Sequence, residues 1–484
     1  MGRLSSLKPQ KVFEYFEEIC KIPRGSGNCA AISNYIIEFA KQRNLECSKD
    51  ECQNVLVRVP ASAGYENFGA VILQGHMDMV CEKEAGIEFD FSRDAIRPYV
   101  DGDFIKAEGT TLGGDNGIAI AMMLAIMDDK TLKHPELELL MTVDEETSMA
   151  GAFGFDCSCL HGHHLINLDS EYEGILMCSC AGGIDAVCKL PIMRENASGY
   201  EVKIKIGGLR GGHSGVEIDK GRANANVLMA RTLCELQKEI SFKISSYYGG
   251  SRVNAISPSA EVTMLIAEAD IDLLKEKLGK MQELFTGEYH VADPEVSLTM
   301  ETLGEGNLPA LDEASTKKLI SLLISMPDGV QEMSLEMAGL VQTSCNIGAA
   351  ELKESSLDFT SSIRSCIESK KVALAEKITN VVELAGGKVS LEEDYPGWDY
   401  NPSSLLKDTL IEAYRKVCGI EASVEAVHAG IECGIFAAGI SDLDCISIGP
   451  TMADVHTPQE HLSISSVQRT WDVLLAALED AKYE

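Results

Sequence analysis

No run of about 20 apolar residues, the length a helix needs to cross a bilayer, occurs in the 484-residue chain. No helical membrane span is therefore expected. The N-terminal segment also lacks the charged-then-apolar pattern of a secretory signal, so a cytoplasmic location is expected. Positive charge is scarce: 42 Lys and Arg stand against 75 Asp and Glu, a net charge of −33 spread along the chain rather than gathered in a tail. Such a field disfavours nucleic acid and anionic membranes as partners. Cysteine is plentiful at 16 residues, but the close pairs Cys157-x-Cys159, near His161, His163 and His164, and Cys178-x-Cys180 lack the C-x2-C spacing of a structural zinc fold. Reduced, mostly buried thiols are expected rather than disulfides. A hydrophobic content of 45% over this length allows a large core and two or three domains.

What the chain does have is a set of acids and imidazoles where apolar runs stop. Val71-Ile72-Leu73-Gln74-Gly75-His76-Met77-Asp78 reads as a strand that presents an imidazole and a carboxylate two residues apart, on one side of an extended backbone. Asp78 is thus placed to hydrogen-bond the ring nitrogen of His76 that is not on a metal. Alone, such a histidine is more often an ordinary hydrogen-bonded residue than a metal ligand. Thr110-Thr111-Leu112-Gly113-Gly114-Asp115-Asn116-Gly117 leads into an apolar helix over 118–127, and its glycines let Asp115 stand at the helix mouth. A phosphate cradle is the rival, because glycine-rich loops ahead of helices bind anions. The missing Lys-Ser/Thr pair and the negative aspartate speak against it.

Leu137-Glu138-Leu139-Leu140-Met141-Thr142-Val143 reads as a strand ending in Asp144-Glu145-Glu146-Thr147. Successive acids are costly to keep ionised unless cations screen them; a solvated acidic turn is the alternative. Adjacent strand-end residues face opposite ways, which divides the pair into a ligating carboxylate and one free to move protons. Two more strands follow the same pattern, Leu165-Ile166-Asn167-Leu168-Asp169 and Cys445-Ile446-Ser447-Ile448-Gly449-Pro450, the latter followed by His456-Thr457-Pro458. Open α/β sheets bind ligands at the carboxyl ends of their strands. Taken together, His76, Asp115, Glu146, Asp169 and His456 make a dinuclear metal hydrolase the leading reading.

These segments, with Gly211-Gly212-His213-Ser214-Gly215, Ile22-Pro23-Arg24-Gly25-Ser26-Gly27-Asn28 and His428-Ala429-Gly430-Ile431-Glu432-Cys433-Gly434, resemble the motifs of the co-catalytic zinc exopeptidases, and within them the Xaa-His dipeptidase branch. The resemblance spans nearly the whole chain. It implies that Asp115 bridges two divalent ions, most simply zinc with manganese or cobalt as alternatives. His76 and Asp169 would complete one site, and Glu146 and His456 the other. Glu145 would be the general base, Asp78 would orient His76, and an aspartate at 169 resembles the aminopeptidase and dipeptidase branch rather than deacylases. The implied reaction is hydrolysis of unblocked dipeptides, with Xaa-His peptides including β-alanyl-histidine as the implied substrates. Tripeptide aminopeptidases and N-acyl amino acid deacylases share the metal motifs and stay open as alternatives. A metal- or peptide-binding protein without catalysis is the reading from another class.

Three further segments bear on the substrate. His213 lies among glycines, on backbone suited to a group that swings onto a reacting centre; a tight turn with an incidental histidine is the alternative. Resemblance gives it the role of steadying the oxyanion, with Asn254 as helper. Arg364, alone in the strand-like Ser361-Ser362-Ile363-Arg364-Ser365, offers the forked donor that fits a terminal carboxylate, or else a structural ion pair. His428 and Gly430 are expected substrate contacts on resemblance.

The expected architecture is a doubly wound α/β catalytic domain with a mainly parallel sheet, formed discontinuously by residues 1–184 and 396–484. An inserted α+β lid and dimerisation domain over 185–395 interrupts it. Within the insertion, 201–206, 260–266 and 356–360 read as strands, and 224–237, 271–284 and 370–385 as amphipathic helices.

Overall fold

The computed structural model describes residues 2–483 and divides into two compact units. The first comprises Met1–Cys180, Trp398–Ala426 and Ile431–Glu484; the second comprises Ala181–Gly397 and Val427–Gly430.

An eight-stranded sheet forms the centre of the first unit, in the order Glu46–Lys49, Val55–Val59, Leu137–Thr142, Val71–His76, His164–Asn167, Asp444–Ser447, Ile175–Cys180, Ser423–Val427. The Val71–His76 strand pairs in parallel with Leu137–Thr142 on one side and His164–Asn167 on the other, and Asp444–Ser447 adds a further parallel pairing. Antiparallel pairings flank this parallel centre. All six residues of Val71–His76 and of Leu137–Thr142 are buried, as strands covered on both faces must be. The Gly114–Asp128 helix is apolar on every side and buried throughout residues 116–127, so it lies inside the core rather than on it. It packs on the Gln10–Ile19 helix, which contributes Val12, Phe13, Phe16 and Ile19 to the same core.

This strand order sets where the crevice lies. The chain leaves Val71–His76, builds Leu137–Thr142 on one side, and crosses back to build His164–Asn167 on the other. Sheets of this kind open a ligand crevice at the carboxyl ends where the order reverses. His76 ends the first of these strands, and Asp169 stands two residues beyond the last.

A nine-stranded antiparallel sheet forms the second unit, with Ser297–Leu311 at one edge and Lys388–Tyr395 at the other. The expected strands over 201–206 and 356–360 are parts of longer ones, Arg194–Gly207 and Ser356–Ser365. Four helices, Ala225–Leu236, Ile271–Tyr289, Glu313–Ser325 and Glu368–Leu384, share one apolar core with the sheet. In Ile271–Tyr289 the buried set is Leu274, Leu278, Met281 and Phe285, the single stripe expected of a helix lying on a sheet. Among the described residues no disulfide bond is formed.

Gly449, past the end of the Asp444–Ser447 strand, approaches the segment carrying Asp169 so closely that a Cβ there would be driven into the backbone carbonyl of Ser170. Backbone cannot swing aside as a side chain can. Gly449→Ala is expected to destabilise the protein by about 1–3 kcal/mol, the usual cost of overpacking, seen as a lowered thermal midpoint.

Candidate functional site

Each loop beyond the parallel strands delivers one or two polar side chains to the crevice. The Gly114–Asp128 segment does not begin as a regular helix. Gly113 is left-handed at φ 67°, and Asp115 (φ −80°, ψ 109°) and Asn116 are not helical, so the Asp115 side chain faces the crevice before the helix is under way. Asp144 at φ 58° and His456 at φ 62° are non-glycine residues in the left-handed region, a conformation costing roughly 1–2 kcal/mol each. Such strain gathers at sites where the surroundings over-determine the geometry. Glu145 and Glu146 follow Asp144 on a one-turn helix, Glu145–Ser148. Their division therefore comes from a helical turn and not from strand alternation, which corrects the expectation from sequence.

The five expected ligands form two groups that share one residue. His76 Nε2 lies 3.0 Å from Asp115 Oδ1 and 3.3 Å from Asp169 Oδ1. His456 Nε2 lies 2.9 Å from Glu146 Oε2 and 3.3 Å from Asp115 Oδ2. The two oxygens of Asp115 thus serve different imidazoles. Ligand atoms of His76, Asp115 and Glu146 all fall within 4.8 Å of one another. Glu146 Oε1 is buried with no hydrogen-bond partner, which costs about 1–3 kcal/mol or more for a charged group unless a cation supplies the missing contact. A set of carboxylate oxygens and imidazole nitrogens is suited to zinc, manganese or cobalt. The residues present therefore fit divalent metal ions. Among the described residues the Cys157, Cys159, Cys178 and Cys180 segments contribute to no such group.

Electrostatics point the same way. Burial opposes ionisation of Asp115, yet hydrogen bonds from His456 and His76 outweigh it and hold this carboxyl below the usual range. Burial pushes Asp169 up to about 6; His76 opposes the rise, and the Asp115 and Glu146 anions add to it. Glu145 is raised well above an ordinary glutamate, mainly by burial, with Asp169, Glu432 and Glu146 adding repulsion against the pull of His76. Hydrogen bonds to Asp115 and Glu146 raise the His456 imidazole to about 10. Carboxylates outnumber cations here, the pattern of a site built around positive charge.

Asp78, fully buried, sits beneath. Its Oδ1 is 3.4 Å from His76 Nδ1, and the carboxylate accepts the Glu145 and Glu146 backbone N–H groups at 3.2 and 3.3 Å and Ser26 Oγ–H at 2.8 Å. It thus faces the His76 ring while holding the turn that carries both glutamates. The strand ends at His76, so Asp78 reaches the ring from the following loop. Deeper still, Glu432 Oε2 accepts from Gln74 Nε2 at 2.6 Å and Thr142 Oγ1 at 2.8 Å, while Asn167 Nδ2 donates to Gln74 Oε1 at 2.6 Å. This layer ties three neighbouring strand ends together, and sequence reasoning passed over it. The available signal was a polar residue near the end of each apolar run.

In the second unit, His213 lies on a two-residue strand, Gly212–His213, paired with Ala255–Ile256. The expected free turn is instead pinned, and the His213 N–H donates to Glu217 Oε2 at 2.8 Å. Nδ1 of His213 accepts from the Gly215 and Val216 N–H groups at 3.1 and 3.2 Å, which places the ring proton on Nε2. Burial, aided by the Arg364 charge, lowers its pKa, so the ring is neutral at physiological pH. Asn254 is exposed and its backbone carbonyl accepts from Ser214 N–H at 3.0 Å. Arg364, 8% exposed, donates from Nη1 to Tyr395 Oη at 2.7 Å, and its buried Nε has no hydrogen-bond partner. His428 pairs with Ser344 Oγ at 2.7 Å, and burial followed by Arg364 drops its pKa to about 3. Gly430 lies against the Tyr395 ring, where a Cβ would stand 2.6 Å from Cε2. Tyr395 thus joins Arg364 and Gly430 in one cluster and was not foreseen.

Comparison with known proteins agrees with this geometry. Residues 72–480 match the model of Peptidase family M20/M25/M40. The chain is 37% identical to the cytosol non-specific dipeptidase of Escherichia coli (strain K12), with 99% of each covered. Its structure superposes on that of an aminoacylhistidine dipeptidase from Vibrio alginolyticus with a TM-score of 0.95 at 36% identity, covering 99% of this chain and 98% of that one. A tripeptidase from Staphylococcus aureus shares the fold at a TM-score of 0.57 and 15% identity, covering 98% and 99% of the two chains. With the family model and a full-length relative in agreement, the chain belongs to Peptidase family M20/M25/M40.

Proposed function

We propose that the protein hydrolyses the peptide bond of unblocked dipeptides, Xaa-His peptides such as β-alanyl-histidine among them, using two divalent metal ions, with zinc foremost. The observation that carries this reading is the carboxylate of Asp115 with one oxygen toward His76 and the other toward His456. His76 and Asp169 would hold one ion, and Glu146 and His456 the other. When bound, two such ions lower the pKa of a shared water and polarise the scissile carbonyl.

The chain's own groups supply the remaining steps. Glu145, raised in pKa by burial and its acidic neighbours, takes the proton from the attacking water and passes it to the leaving amine. A carboxyl tuned toward neutrality suits both transfers. His213, with its proton on Nε2, donates a hydrogen bond to the carbonyl oxygen as charge develops there. Asn254 assists it. Arg364, held by Tyr395, takes the substrate's terminal carboxylate, with His428 and Gly430 shaping that subsite. Dimerisation runs through the second unit, whose 15-residue Ser297–Leu311 edge strand offers unpaired backbone to a second copy. A cytoplasmic location follows the cytosolic relative, and no described helix is long and apolar enough to cross a membrane.

Tripeptide aminopeptidase, deacylase and non-catalytic readings are less well supported, because the dipeptidase relatives align along 99% of the chain at 36–37% identity and the tripeptidase at only 15%. Assays of the metal-loaded protein on free dipeptides and on N-acyl amino acids separate the activities. Dipeptide cleavage is the expected result, and cleavage of acylated substrates alone would reject it. Glu145→Gln is expected to cut kcat by about 10²–10⁴-fold with metal content unchanged. Asp78→Ala, which frees the His76 ring, is expected to weaken metal affinity by roughly 10–100-fold, measured by competition with a chromophoric chelator.

A further inference from the structure

The glycine-rich loop over 112–115 is an anion cradle after all, and its anion belongs to the protein. Glu460, 3% exposed, accepts four successive backbone N–H groups. Its Oε2 takes those of Leu112 at 2.7 Å and Gly113 at 2.9 Å; Oε1 takes those of Gly114 at 2.7 Å and Asp115 at 3.4 Å. On the carbonyl side, the guanidinium of Arg24, 2% exposed, donates to the Gly113 carbonyl and, at 2.9 and 3.0 Å, to those of Met77 and Asp78. The backbone immediately before Asp115 is thus gripped by a buried anion on its N–H groups and a buried cation on its carbonyl.

Glu460 stands four residues after His456 and closes a turn onto Thr457, its N–H donating to that carbonyl at 3.1 Å. One carboxylate therefore ties the loop bearing Asp115 to the loop bearing His456, which are more than 300 residues apart in sequence. We propose that Glu460 is the positioning residue of the shared carboxylate. It fixes the 112–115 backbone so that Asp115 presents one oxygen to each imidazole, and it fixes the span between Asp115 and His456. It stands outside the group of ligand atoms formed by His76, Asp115 and Glu146. Charge-assisted bonds to several N–H groups suit this task, because they define a backbone path and not just a contact. The proposal rests on the two-ion reading of Asp115 given above.

Glu460→Gln tests it. Glutamine keeps the shape but turns one accepting oxygen into a donor facing backbone N–H groups, so the cradle loses half its contacts. In chelator-stripped protein titrated with zinc or manganese, Glu460→Gln is expected to lower affinity by roughly 10-fold or more, the effect of losing a group that orients a ligand. Fewer than two ions per chain should be retained at wild-type saturating concentration, with the far-UV circular dichroism unchanged. Wild-type affinity and stoichiometry in a folded Glu460→Gln protein overturn the proposal, whatever happens to thermal stability. Should that variant fail to fold, Gly114→Ala decides. Its Cβ would stand 3.3 Å from Glu460 Oε1 and displaces the carboxylate by a few tenths of an ångström without removing charge. A measurable loss of ion affinity supports the role, and unaltered affinity ends it. If the wild-type chain takes up no divalent ion, the metal reading itself fails, an outcome distinct from equal uptake by wild type and variant.

Discussion

Asp115, Glu146 and Asp169 converge on two imidazoles at the carboxyl ends of a parallel sheet, and mutual repulsion among those carboxylates is the constraint the rest of the molecule answers to. Unit charges about 4 Å apart interact by roughly 4 kcal/mol at the effective dielectric of a protein surface, and these lie in contact through shared partners. Asp169 and Glu145 are raised in pKa chiefly by burial, and the neighbouring anions add to the rise. Divalent cations relieve the repulsion directly, which is why the same arrangement that is awkward as a bare protein is apt as a metal site.

The scaffold keeps this repulsion from reshaping the loops. Buried apolar strands supply rigid stems, the apolar stretch over 117–127 of the Gly114–Asp128 helix locks beneath them, and strand order opens the crevice beside His76. Above the apolar core, a layer of neutral amides and hydroxyls around Glu432 joins adjacent strand ends. Nearer the ligands, charged groups take over: Asp78 grips the Glu145–Glu146 turn, and Glu460 with Arg24 grips the loop of Asp115. Polarity rises stepwise toward the crevice, where Glu146 Oε1 and Asp169 Oδ1 are left buried without a hydrogen-bond partner.

Much of this was legible in the residues because the fold repeats one device. An apolar run followed by a turn and an acid or histidine names both a strand and what it carries, and 71–78, 137–146, 165–169 and 445–456 all follow it. What stayed hidden depended on distant partners. Glu460 and Glu432 look like any other glutamates until the chain brings them to loops and strands 346 and 358 residues away. For 110–117 the phosphate reading is corrected, because the loop N–H groups that would cradle an anion are taken by Glu460 while Asp115 faces the crevice. The Ser297–Leu311 strand, with Gly304, Gly306, Pro309 and two glutamates, has little strand propensity and owes its form to pairing with Arg194–Gly207. His213 looked loose among its glycines, but cross-strand pairing to Ala255 pins it.

The central claim is that one aspartate serves two ions. A crystal of the protein grown with manganese or zinc, with anomalous differences recorded above and below the metal edge, tests it without reference to activity. Two anomalous peaks roughly 3.5–4 Å apart, one between His76 and Asp169 and the other between Glu146 and His456, with Asp115 reaching both, are the predicted result. A single peak, or peaks that leave Asp115 uncoordinated, would contradict it.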